Sequence, residues 1–359
     1  MIPILVLITV LTAFAEELLD RLQVLNWITE DHYPPGVTLS QETLEHIKKQ
    51  LNLDKIPPQV KPLYGFILHR TDMKLYPTEL KVYRKDPHMD YNQYTTLEAF
   101  TPVKILHTSY DGRWYYVQTP WIRGWVKRDA VAVVPYEDWE RVQTLPFLVV
   151  LKDDVLIGGT AFGIGSRVPY EEKTEDSYLV LLPDGRKLWI RKNEFLHEGF
   201  LKFSQDDIRA RLEALLGRPY VWGGRYDCSA LVQNLYAIYG IELPRNSAQQ
   251  SKTEGSVEIR FETYQAFKNF LQRLPPFQTL LFMKGHVMIY GGIEDGDVVV
   301  YHALYGTKRD DGTEYYPRSV VKNLLQRDRL TNLYRRVTAV LVLPSSQNGG
   351  GGIRTPGGP

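Results

Sequence analysis

The chain has a single cysteine, Cys228, in 359 residues. An intramolecular disulfide is therefore excluded, and the fold must stand on its hydrophobic core. Neither charge is in excess: 43 Lys+Arg face 42 Asp+Glu, which removes the electrostatic case for a nucleic-acid partner. The apolar run in MIPILVLITVLTAFAEELLD is too short to span a bilayer. It ends in Ala13-Phe14-Ala15, a small-x-small step that suits signal-peptidase cleavage, ahead of Glu16-Glu17. Residues 1–15 are thus expected to be a signal peptide, and the protein to be exported, periplasmic or extracellular, with no membrane span. No Lys or Arg precedes the apolar core, the pattern expected if translation starts upstream. No cysteine follows it to carry a lipid anchor. What the chain does have is aromatic surface: 23 Tyr and 7 Trp, many in short alternating runs that favour β-rich modules and sugar- or peptide-binding faces.

Patterning divides the chain. Residues 16–62 read as a short helical segment, in which SQETLEHIKKQLNL carries a Ser40 cap and places Leu44, Ile47 and Leu51 on one face. From 63 to 138 the pattern turns to strands: RWYYVQT and GWVKRDAVAVV alternate, with Asp111-Gly112 as a turn. A second β-rich block, 139–200, has Asp184-Gly185 as a hairpin signal. Two such blocks suggest two small all-β barrels. Helix returns at SQDDIRARLEALLGRPY, with Ser204 as cap and Gly217 as stop; one more helix and then strands follow, an α+β unit over 201–345. The Gly-rich end, 346–359, is expected to be a disordered tail.

Within YVWGGRYDCSALVQNLYAIYG, Cys228 falls at or just before a helix start, with Leu231, Leu235, Ile238 and Tyr239 at helical spacing and Gly240 as terminator. A lone cysteine is commonly an inert core residue. At a helix start, however, orphan N–H groups and the dipole lower a thiol's pKa and can hold an oxyanion. A nucleophilic thiol needs a base. KGHVMIYGGIEDGDVVVYHALYG supplies His286 and His302 on two strands of a hairpin. A two-residue Asp295-Gly296 turn would pair Ile289 with His302 and set the histidines on opposite faces. A three-residue Glu294-Asp295-Gly296 loop pairs Met288 with His302 and puts both on one face, roughly 7–8 Å apart at Cα. The three-residue loop is predicted. The two histidines lie sixteen apart with no carboxylate or thiolate ligands at metal spacing, so neither a metal nor a cofactor is expected.

DCSALVQNLY, LPRNSAQQ, GHVMIYGG and YHALYG, in that order, resemble the NlpC/p60 family of papain-like cell-wall cysteine peptidases. The resemblance covers about 201–345, and the preceding β blocks resemble the paired bacterial SH3-like domains of one multidomain branch. It implies a papain-like catalytic domain that hydrolyses the γ-D-glutamyl–diamino acid bond of peptidoglycan stem peptides, often with a free N-terminal L-Ala. Cys228 is then the nucleophile, His286 the general base and His302 its orienting partner. Tyr220 and Trp222 line the attacked bond, and Asp227, Ser229, Asn246 and Ser247 take substrate-contacting positions. Asp227, an acceptor-only carboxylate, suits an ammonium; as a plain alternative it is a helix cap. Glu79, Tyr115 and Tyr116 are candidates for contacts from the first SH3-like domain, or ordinary barrel residues. The resemblance departs at Ala230, where many members have glycine, and in a short loop between Gly224 and Asp227. Stem peptides or muropeptides are the expected partners, and a monomer the expected state. Two rivals stand beside this reading: amidase or acyl-transfer chemistry on another acyl substrate, and a wall-binding protein held by its SH3-like domains. Whether the diamino acid is diaminopimelate or lysine is not encoded in these motifs.

Overall fold

The computed structural model describes residues 17–30, 39–83, 86 and 88–344. The expected signal peptide and C-terminal tail lie outside the described residues. Helices α1 (Arg21–Thr29) and α2 (Gln41–Leu51) come first. The Ser40 hydroxyl accepts from Thr43 N, as its residue type demands, and Asn52 ends α2 in the left-handed conformation. Both helices lay their apolar residues, among them Val24, Ile28, Ile47 and Leu51, on one face of the sheet that follows, against Trp114, Tyr116 and Trp125.

That sheet has seven antiparallel strands in the order Gln93–Leu97, Thr71–Lys74, Arg123–Lys127, Trp114–Gln118, Pro102–Thr108, Leu63–Ile67, Val131–Val134. Its other face encloses Ile67, Met73, Val103, Tyr115, Val117 and Val126. A helix absent from the sequence reading, α3 (Tyr136–Thr144), connects it to the second β unit. There five strands run in the order Lys187–Arg191, Ser177–Leu181, Arg167–Lys173, Phe147–Val150, Leu196–Glu198, beside a separate hairpin of Val155–Ile157 and Thr160–Phe162. Phe66, Ala99 and Phe100 of the first unit enter the core of the second, so the two share buried surface.

The C-terminal unit begins with α4 (Gln205–Leu215), capped by Ser204, and α5 (Cys228–Ala237). The sequence suggested one further helix after α4; the structure has three, since α6 (Ser247–Gln250) and α7 (Tyr264–Leu271) follow. The cap and spacing of α7 were legible: Thr263 accepts from Ala266 N, while Phe267 and Leu271 are buried. A six-stranded antiparallel sheet follows in the order Val257–Glu258, Val337–Val342, Thr279–Met283, His286–Glu294, Asp297–Leu304, Ser319–Leu324. Helices α4 and α5 bury Ile208, Leu212, Val232, Leu235 and Tyr236 against Val287, Ile289, Val299 and Tyr301. Helix α7 packs with Leu281, Met288, Tyr290 and Val300 in a second cluster.

All three units meet at Arg225, in the turn before α5. Its side chain pairs with Glu98 (2.6 Å) from the first β unit and with Asp153 from the second, while Arg70 bridges Glu98 (3.0 Å) and Asp154 (2.7 Å). The side chain of Asp153 is 2% exposed and that of Arg225 12%. Buried pairs of this kind add little net stability, but losing one partner strands a charge. Their effect is to fix where the turn sits.

Candidate active site

Asp227 caps α5: its Oδ1 accepts from Ala230 N at 2.9 Å, so Cys228 is the first residue of the helix, as expected. The first β unit presses on the turn just before it. A Cβ on Gly223 would lie 2.5 Å from Gln93 O, and Gly223 has φ +62°, so glycine is required there on both counts. Gln93 Nε2 also donates to Gly223 O at 3.3 Å. The sulfur of Cys228 lies 3.9 Å from Gly285 O and accepts from Val287 N, against the backbone on both sides of His286. It is 6% exposed.

The hairpin reaches the expected register by a different route. Glu294 pairs with Asp297 across a two-residue turn, with Asp295 at φ 49° and Gly296 at φ 79°, not the predicted three-residue loop. A bulge between Tyr290 and Gly292 absorbs the extra residue, so Ile289 faces Tyr301 and Met288 faces His302. At the bulge, Gly291 leaves room for the Tyr301 ring, whose Cε2 would be 2.7 Å from an added Cβ. The histidines therefore do share a face: His286 Nε2 and His302 Nδ1 are 2.7 Å apart.

Protons along this line can be assigned from one end. Asp328 Oδ2 accepts from Asn323 Nδ2 at 2.9 Å; a carboxylate only accepts, so the Asn323 carbonyl must face His302. That oxygen is 3.0 Å from His302 Nε2, which therefore donates. Nδ1 of His302 is then the acceptor for His286 Nε2–H, and His286 keeps Nδ1 as its basic nitrogen. His302 and Asn323 are 1% and 2% exposed. Burial holds His302 down to about 4, with the bond to Asn323 opposing, and drives His286 far below its ordinary value, aided by His302 and Arg336.

The thiol departs from expectation. Burial is the largest influence and Asp227 adds to it, and together they push Cys228 up to about 12 despite the helix start. At rest the site is a neutral thiol beside a neutral imidazole, so attack requires His286 to take the proton as the bond forms. Tyr220, whose phenol burial also pushes up, is sensitive to the charges of Cys228, Asp227 and Arg245, and stays a protonated donor. Trp222 meets Tyr91 of the first β unit edge-to-face at 5.2 Å.

Sequence reasoning missed Arg245. It is 4% exposed and spends every N–H inside the chain: Nε to Thr95 Oγ1 (2.6 Å), Nη1 to Asp227 Oδ1 (3.1 Å) and Ser229 Oγ (3.0 Å), Nη2 to Asp227 Oδ2 (2.7 Å) and Gly224 O (3.2 Å). Asp227 and Ser229 are thus engaged by a buried guanidinium, and the carboxylate suggested for an ammonium is already paired. Asn246 precedes α6 and bonds the Tyr94 side chain, and Ser247 opens α6; both are part-exposed. Asn323 and Asp328 were also missed, lying in a strand and turn with no motif to mark them.

Two candidates from the first β unit need correction. Tyr115 is 7% exposed inside the core of that unit, and Tyr116, 4% exposed, packs on Trp125 under the N-terminal helices. Both are core residues because adjacent strand positions here are covered on both faces. Glu79 is exposed and bonds Lys127 at 2.5 Å, on a groove of about 570 Å³ that also touches Val221 and Tyr226. Among the described residues no three His, Cys, Asp or Glu side chains are grouped to hold a metal ion, and no helix is long and apolar enough to cross a membrane.

Residues 83–127 match the family described as SH3 domain (SH3b1 type), and 217–312 match the NlpC/P60 family. A γ-D-glutamyl-L-lysine dipeptidyl-peptidase of Bacillus cereus is 35% identical over 105 residues, 26% of this chain. The match spans 30% of that relative's length. Among solved structures, an NlpC/P60 endopeptidase from Photobacterium damselae subsp. piscicida superposes with a TM-score of 0.70 at 18% identity, covering 86% of this chain and 79% of the other. An NlpC/P60 family protein from Bacillus cereus gives 0.55 at 20% identity, covering 78% and 100%. These two likenesses establish a shared fold.

Proposed function

We propose, from the NlpC/P60 match over residues 217–312, that the chain is a cysteine endopeptidase of peptidoglycan stem peptides, cutting the γ-D-glutamyl–diamino acid bond. The observation that carries this reading is the line Asp328–Asn323–His302–His286, which leaves a basic nitrogen on His286, the residue between the two, Gly285 and Val287, whose backbone groups hold the sulfur of Cys228. Cys228 attacks the amide carbonyl while His286 takes its proton. The backbone N–H of Cys228 at the start of α5 and the Tyr220 hydroxyl hold the oxyanion, and protonated His286 donates to the leaving amine. Water then attacks the acyl-enzyme with His286 again as base.

The family resemblance and the relative's name point to the substrate class. The free N-terminal L-Ala is supported by closure of the cleft. Tyr91 on Trp222, Gln93 on Gly223 and Thr95 on Arg245 bring the first β unit against the segment leading into Cys228 and against the loop after α5, and we read these contacts as closing one end of the site to glycan. Closure, rather than the already paired Asp227, is the basis for excluding glycan-linked stems. The second β unit is read as a further SH3-like domain, and export through residues 1–15 places the enzyme at its substrate.

The test compares L-Ala-γ-D-Glu-diaminopimelate with its N-acetylated form, with products read by mass spectrometry. Cleavage of the free peptide alone is expected. Equal cleavage of both would end the length restriction, and cleavage of neither would end the peptidase reading.

A further inference from the structure

Beside the nucleophile the chain places a charge of the wrong sign. Asp227 must cap α5, and its carboxylate stands one residue from a thiol that has to become an anion. The other titratable groups facing that sulfur are Tyr220 from the preceding segment, His286 from its strand with Arg336 beyond it, and Arg245 from the loop between α5 and α6. Arg245 grips both carboxylate oxygens of Asp227, at 2.7 and 3.1 Å, and the hydroxyl of Ser229 on the far side of Cys228, at 3.0 Å. Its remaining arm is held by Thr95, 150 residues away in the first β unit, at 2.6 Å.

We infer that Arg245 is a positioning residue for the nucleophile: by neutralising and fixing Asp227 it lets Cys228 ionise, and Thr95 ties this to docking of the first β unit. The inference depends on Cys228 being the nucleophile, but it concerns the thiol itself and needs no substrate. Two further features support it. Every donor of the guanidinium is used, so its geometry is set rather than adaptable. Asp227 raises the thiol's pKa while Arg245 lowers it, so the pair's two charges act on the sulfur in opposite directions.

The rate of Cys228 alkylation by iodoacetamide reads the thiolate fraction directly, and with one cysteine the label has one address. At a fixed pH below the thiol's midpoint, Arg245→Gln should alkylate about tenfold more slowly, as expected when one opposite charge is lost nearby. Asp227→Asn, which keeps a capping side chain, should alkylate faster than wild type. The double variant should return to within about twofold of wild type, and Arg245→Lys should recover most of the loss. Thr95→Val should slow alkylation in the same direction as Arg245→Gln, by less.

A purely structural Arg245 predicts the opposite for the double variant, which would be at least as slow as Arg245→Gln; that result overturns the inference. So does an Arg245→Gln protein with an unchanged melting curve and an unchanged alkylation rate. Should Arg245→Gln fail to fold, Asp227→Asn alone decides, since no acceleration there removes the electrostatic basis. Absence of peptide cleavage by the wild type would overturn the proposed function and leave this result standing.

Discussion

Replacing Asn323 by leucine tests whether the far end of the histidine line sets its chemistry. The two side chains have similar shape, so packing in the sheet is largely kept, but the acceptor for His302 Nε2–H disappears. That donor, on a residue 1% exposed, would then be buried without a partner, at a cost of about 1–3 kcal/mol. His302 escapes the cost by moving its proton to Nδ1, which faces His286 Nε2. His286 must then accept at Nε2 and carry its own proton on Nδ1, the nitrogen needed as base. A bias of about 2 kcal/mol towards that tautomer removes the competent form from all but a few per cent of molecules, so kcat/KM should fall about thirtyfold. KM should hold within about twofold, because Asn323 lies behind the histidines rather than in the cleft. The assay is initial-rate hydrolysis of the free stem tripeptide, with a thermal melt to show that the variant is folded. A folded Asn323→Leu enzyme with unchanged kcat/KM, or one that loses only KM, would refute the assignment of protons along this line.

Acid should unfold the C-terminal unit in a defined window. The folded pKa of His302 is depressed from 6.5 to about 4, so the unfolded chain takes up the proton first. Its contribution is present in full above about pH 6.5 and is lost as pH falls towards 4, amounting to about 3 kcal/mol. Melting temperature against pH should drop over that range in wild type and drop less steeply in His302→Asn, where buried His286 still contributes. Arg225→Met should strand Asp153 and cost about 3 kcal/mol, seen as a lower denaturant midpoint and earlier separation of the β units from the C-terminal unit. Gly291→Ala should cost about 1–3 kcal/mol by forcing a methyl into the Tyr301 ring, measured by urea unfolding.

The sequence revealed the parts of this site that depend on local chemistry. Asp227, Cys228 and the apolar spacing of SALVQNLYAIYG announce a capped helix with a thiol at its start, and the helix is found there. His286 and His302 were recognisable as partners, but their register turned on a bulge at Gly291. A lone glycine within GG gives no sign of whether it marks a turn, a bulge or close packing. Thiol acidity was misread for a related reason: the helix start is local and visible, whereas the burial that outweighs it comes from strands about sixty residues further on. Arg245, Asn323 and Asp328 act through contacts with distant segments, Thr95 among them, and no spacing rule brings such residues together. Tyr115 and Tyr116 were drawn towards the substrate by the family resemblance and their residue type, while helices α1 and α2 covered the face on which one of them lies.

The most direct test of the central claim is hydrolysis of L-Ala-γ-D-Glu-diamino acid peptides by wild type and by Cys228→Ala, followed by mass spectrometry. The sulfur is buried and small, so the variant should fold with nearly unchanged stability. Wild type should release the L-Ala-D-Glu dipeptide, and Cys228→Ala should be slower by a factor on the order of 10⁴ or more. Equal cleavage by the two proteins would contradict the account.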